Sequence, residues 1–156
     1  MRRQILATTF AVLVAISPAM AESFDVSVVA VGVSDDEFHG LIDGSMVIDT
    51  RTLYEPYDAP GSPLSGMTSL CFGNVVVLDG MPGGGGNCIL TGAGGDTILQ
   101  QFAVTDIALG TAAGTWVLLR GTGAYEGVAG EGTWSSETVA RTGATTNLIE
   151  GRVSLP

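Results

Sequence analysis

Four side chains carry the chemistry this sequence could bring to a small molecule: Asp49, Arg51, Arg120 and Trp116. Asp49 and Arg51 stand two apart in the alternating run Met46–Tyr54, which reads as a strand, so both project from one face. Arg120 follows Trp116 and Leu118 at the same period, immediately before Gly121. On the inside of a closed sheet, Arg120 would hold a carboxylate or carbonyl oxygen through two parallel N–H donors, with Trp116 as an apolar wall. On a wet face, the same charges would form cross-strand ion pairs, with Asp49 or Glu126 neutralising Arg120. Both arrangements are open at this level.

Other chemistries are excluded by residue type. The chain has no lysine, so it has no Walker A loop. Gly121-x-Gly123-x-x-x-Gly127 misses the dinucleotide fingerprint because Glu126 occupies the position where a glycine is required. No nucleotide cofactor is expected, and none of any other class. The single histidine, His39, follows Asp35-Asp36-Glu37, and no G-x-S-x-G elbow exists to supply a serine nucleophile. These acids do not follow an EF-hand pattern, so a solvated turn is expected rather than a metal site.

The elements that would position these groups follow from composition. Met1-Arg2-Arg3, the apolar run from Ile5 to Ile16, the break at Ser17-Pro18 and the Ala19-Met20-Ala21 site together form a signal-peptide pattern. Residues 1–21 are therefore assigned to a removable leader and 22–156 to one domain, secreted or periplasmic. The apolar run is too short to span a bilayer. Losing Arg2 and Arg3 leaves four basic side chains against sixteen acidic ones, a balance of −12. Such a surface repels phosphate backbones and anionic lipid, so neither nucleic acid nor membrane is an expected partner. In an oxidising compartment Cys71 and Cys88 have only each other, which predicts a structural disulfide contributing ~3 kcal/mol in the chain-entropy view.

The chain contains 23 glycines and no dozen residues with a glycine-free helical period, which points to an all-β domain. Strands are expected at Phe24–Val28, Met46–Tyr54, Thr68–Leu78, Cys88–Leu90, Thr97–Val104, Gly114–Arg120, Gly132–Thr138 and Asn147–Leu155. Turns are expected at Ser34-Asp35-Asp36, Asp43-Gly44, Pro60 to Pro63, Gly80 to Pro82, Gly92 to Asp96 and Arg141 to Gly143. The run Gly83 to Gly86 reads as a flexible hairpin tip. The core is expected around Val26, Ile48, Val76, Phe102, Leu118 and Ile149, with Glu150 and Arg152 pointing outward. About eight strands of this length can form a sandwich or a small barrel.

One segment favours the barrel. Gly121-Thr122-Gly123-Ala124-Tyr125-Glu126-Gly127-Val128-Ala129-Gly130-Glu131-Gly132, preceded by the strand from Gly114 to Leu119, resembles the G-T-G-x-[YF]-x-G-x-x-G-x-G segment of allene-oxide-cyclase-like and dirigent-like β-barrels. The cysteine pair and Gly94-Gly95-Asp96-Thr97 look like features of small secreted bacterial proteins that carry this segment. The resemblance implies a single small antiparallel barrel of about eight strands. It also implies a lumen that accommodates a small hydrophobic molecule and acts as a cyclase or isomerase by confinement. Gly121, Gly123, Tyr125 and Gly127 would shape the strand connection rather than catalyse. The alternative is a non-enzymatic envelope module whose barrel is filled by its own side chains. A cavity of ~300 Å³ or more would separate the two.

Overall fold

The computed structural model describes residues 21–41 and 43–156. The leader assigned to 1–21 lies outside the described residues, except for Ala21. Eight strands follow in chain order: β1 (Glu22–Gly40), β2 (Met46–Tyr54), β3 (Thr68–Leu78), β4 (Met81–Thr91), β5 (Thr97–Ala108), β6 (Thr111–Gly121), β7 (Ala129–Val139) and β8 (Ala144–Leu155). Each pairs antiparallel with the next, and β8 pairs with β1 to close the barrel. Among the described residues the one helical turn is the 3-10 segment Gly123–Tyr125. The fold is thus an all-β, closed, eight-stranded antiparallel barrel.

β2 and β3 have the limits that their alternation predicts. β1 is much longer than its apolar start: Glu22 to Val33 pair with β8, and Gly32 to Gly40 pair with β2. The expected turn at Ser34-Asp35-Asp36 is therefore strand, because Thr52, Arg51 and Thr50 stand opposite these residues and satisfy their backbone. The expected flexible tip at Gly83 to Gly86 is also strand, within β4. At Gly86 and at Gly73 of β3 the Phe102 ring occupies the space that a side chain would fill: a Cβ at Gly86 would lie 2.8 Å from Phe102 Cζ, and one at Gly73 2.9 Å. These glycines are a seat for an aromatic ring, not a hinge. Val76 faces outward, and its neighbour Val75 supplies the core contact.

The strand directions put the connections at 41–45, 79–80, 109–110 and 140–143 at one end, with both termini of the barrel at the other. The two ends differ in filling. Towards the termini, Val26, Val28, Leu90, Ile98, Leu118 and Val153 form a packed core. Segment 55–67, between β2 and β3, adds Tyr57, Leu64 and Met67 to it and touches β1 through an Asp58–Val29 bridge. Fully burying such apolar side chains stabilises by ~1.5–3 kcal/mol each, which makes this end a rigid plug.

The Gly-Thr-Gly-Ala-Tyr segment belongs to that closed end. The Asp96 carboxylate accepts the Ala124 N–H at 3.1 Å, and Thr122 Oγ1 accepts the Thr97 N–H at 2.9 Å. Gly123 has φ 54°, and a Cβ there would collide with the Asp96 carboxylate. Tyr125 packs on the core, so the segment ties the β4–β5 turn to the β6–β7 connection. The Cys71–Cys88 disulfide, spanning 17 positions, joins directly opposed residues of β3 and β4 with Cα atoms 4.0 Å apart.

Candidate functional site

The other end of the barrel is open. A cavity of about 770 Å³ descends from a rim that includes the connections at 79–80, 109–110 and 140–143 to the plug. This falls within the range of small-molecule sites, about 300–1,000 Å³, and distinguishes the interior from a lumen filled by its own side chains. Register explains what lines it. Inward positions of β1 and β2 near the rim are Ser34, Asp36, Phe38, Met46, Ile48, Thr50 and Thr52. On β5 and β7 the cavity wall includes Gln100, Phe102, Val104, Trp134, Ser136 and Thr138. Short side chains at so many inward positions leave the centre of the barrel unfilled.

The wall has two sides. Ile48, Val75, Val104 and the edge-to-face pair Phe102–Trp134, with ring centroids 5.8 Å apart, make an apolar side. Facing it is a strip of hydroxyls and amides from β1, β2, β7 and β8. Ser34 Oγ lies 2.7 Å from Thr52 Oγ1 and 2.9 Å from Thr145 Oγ1, which is itself 3.0 Å from Thr138 Oγ1. Nearer the rim, Thr50 Oγ1 donates to Asp36 Oδ1 at 2.6 Å. Deeper, Asn147 Nδ2 donates to the Tyr54 hydroxyl at 3.2 Å, whereas Asn147 Oδ1 is buried without a partner. Asp36 is the charged side chain directed into the cavity, since Asp35 stands opposite Arg51 on the outer face, and the described lining residues include no arginine, lysine or histidine.

Burial dominates the acid–base behaviour of the floor. Tyr54 and Tyr57, packed edge to face at 6.4 Å, both hold their protons beyond the ordinary phenol range because desolvation disfavours the phenolate. A raised acid pKa in the folded state adds stability that is fully present below the unfolded value and lost as pH climbs above it. Barrel stability should therefore decline from about pH 10 upward as unfolded tyrosines ionise. Tyr57→Phe should flatten that decline, which thermal melts between about pH 9 and about 11.5 would reveal. An unchanged slope in Tyr57→Phe would remove this tyrosine from the alkaline transition.

None of the four side chains singled out from the sequence lines the cavity. Asp49 and Arg51 are on the outer face of β2. Asp49 accepts from Asn74 Nδ2 at 2.7 Å and lies 3.3 Å from His39 Nε2, so the lone histidine belongs to an exposed polar cluster on paired strands rather than to a turn. Trp116 does face inward, but it is buried in the plug below the cavity. Arg120 is turned outward by a bulge. Gln100 pairs with Leu118 and Leu99 with Arg120, so Leu119 is an extra residue that reverses the alternation before the strand ends. Glu150 and Arg152 point outward as expected, with Arg152 bonded to Asp25 at 3.0 Å. The residues missed were the inward polar ones: Ser34, Asp36, Thr52, Thr145 and Asn147. Their signal was present in the alternation of β1, β2 and β8, which puts them on the same faces as Ala30, Ile48 and Ile149.

The chain matches no protein-family model and none of the curated proteins. Among solved structures it is similar to the pterocarpan synthase dirigent protein GePTS1. The identity is 9% and the TM-score 0.49, with 95% of this chain and 99% of that chain covered.

Proposed function

We propose that the chain is an exported barrel that binds one small, mainly apolar molecule in the cavity between the plug and the open rim. The observation that carries this is the 770 Å³ interior with an aromatic and aliphatic wall on one side and ordered polar groups on the other. Sites of this kind hold a ligand by apolar burial and orient it with a few polar contacts. The signal-peptide pattern and the cysteine pair support secretion or a periplasmic location. The plug makes the floor rigid, so a flexible guest is held in few conformers, and the reaction this supports is cyclisation or isomerisation by confinement.

Native mass spectrometry of the protein isolated from the organism that makes it tests the proposal. The expected spectrum shows the Glu22–Pro156 chain with one added small mass that disappears on denaturation. A bare chain that also fails to take up the neutral probe N-phenyl-1-naphthylamine would overturn it.

A further inference from the structure

We infer that the polar end of the ligand is an uncharged or cationic hydrogen-bond donor, an amine being the best fit, and that the cavity rejects carboxylates. This rests on the ligand-binding proposal above and gives it a chemical class. Three observations lead to it. The first is Asn147. Its amide nitrogen is used on Tyr54, but its buried Oδ1 has no partner, and a buried acceptor is normally matched with a donor. The second is Asp36, on the same wall. Thr50 satisfies Oδ1, and no ion pair of the described residues involves this carboxylate, so it can accept a charge-assisted bond from a ligand. The third is the charge of the lining: Asp36 brings negative charge into the cavity, and among the described lining residues no arginine, lysine or histidine opposes it.

These features act in one direction. An ammonium or hydroxyl entering along the polar strip meets an acceptor at Asp36 near the rim and, further down, the Asn147 amide, whose buried Oδ1 accepts once the side chain turns toward the cavity, while the rest of the molecule lies against Phe102, Val104 and Trp134. A carboxylate entering the same way meets like charge in a partly desolvated space and finds no cation. The acidic net charge of the chain adds long-range attraction for cations and repulsion for anions.

The test uses the mature chain loaded with N-phenyl-1-naphthylamine and titrated at neutral pH with decylamine, decan-1-ol and decanoate, which share one apolar chain. Decylamine is expected to displace the probe at a concentration at least about tenfold below that needed for decanoate, with decan-1-ol between them. Asp36→Asn, nearly isosteric, should remove most of the amine's advantage over the alcohol and leave the alcohol unchanged. Asn147→Leu should weaken both donors, with circular dichroism confirming that the barrel is intact. If decanoate competes as well as decylamine, or if Asp36→Asn keeps the full amine preference, the inference fails while ligand binding stands. If the probe itself does not bind, both fail.

Discussion

Replacing Trp116 with alanine is expected to lower the unfolding free energy by ~3–5 kcal/mol, which for a domain of this size removes much of its stability. Trp116 is 3% exposed, and its ring lies over Gly132 of β7 and Gly151 of β8. A Cβ at Gly132 would be 2.8 Å from Trp116 Cζ2, and one at Gly151 2.7 Å. Its indole N–H is shared between the Thr133 and Glu150 carbonyls, both at 3.1 Å. Truncation therefore removes the ring that fills the glycine gap and the donor that holds β7 and β8 to β6. The glycine backbone cannot repack into the space, so the cavity term should be near its upper range. Trp116→Phe should lose less, because a ring remains. Urea unfolding of both variants measures this. A loss below about 1 kcal/mol for Trp116→Ala would contradict the assignment of Trp116 to the plug. Folded Trp116→Phe should still bind the neutral probe, because residue 116 lies below the cavity rather than on its wall.

The same pairing of aromatic rings with glycines explains which parts of the fold were legible. Glycine in a sequence reads first as a turn, and it does mark one at Asp43-Gly44 and at Gly92 to Asp96. At Gly86, Gly132 and Gly151 it instead lies within strands, at the points where Phe102 or Trp116 crosses another strand. That distinction depends on which strands are adjacent, which local pattern does not contain. β2 and β3 were legible to the residue because their period-two patterns run between loops on both sides. The upper half of β1 was not, since Ser34-Asp35-Asp36 has turn-forming types and is held extended only by β2.

The candidate site was legible in kind rather than in residues. Alternation correctly put Trp116 on one face with Leu118 and put Glu150 and Arg152 outside, but it failed at Arg120, where one bulged residue, Leu119, reverses the faces. Asp49 and Arg51 drew attention because they are charged. The cavity instead depends on inconspicuous threonines, serines and an asparagine at inward positions, whose meaning appears only when the eight strands close around them. Whether opposite walls meet or leave a gap is set by side-chain volume summed across the barrel, a property of the closed sheet and not of any one strand.

Closing the cavity should abolish binding without unfolding the protein. Val77 on β3 and Ala112 on β6 both line the cavity, and neither belongs to the plug. The double substitution Val77→Trp with Ala112→Trp would fill the upper lumen from two sides while leaving the Trp116 cradle and the Cys71–Cys88 disulfide in place. The measurement is a fluorescence titration of N-phenyl-1-naphthylamine into the wild-type barrel, residues 22–156, and this variant, with melting curves recorded alongside. The expected result is saturable one-to-one binding to wild type, and affinity at least about a hundredfold weaker, a loss near 2.7 kcal/mol, in a variant that still melts cooperatively. Equal binding by a folded, occluded barrel would put the probe on the outer surface and contradict the internal site.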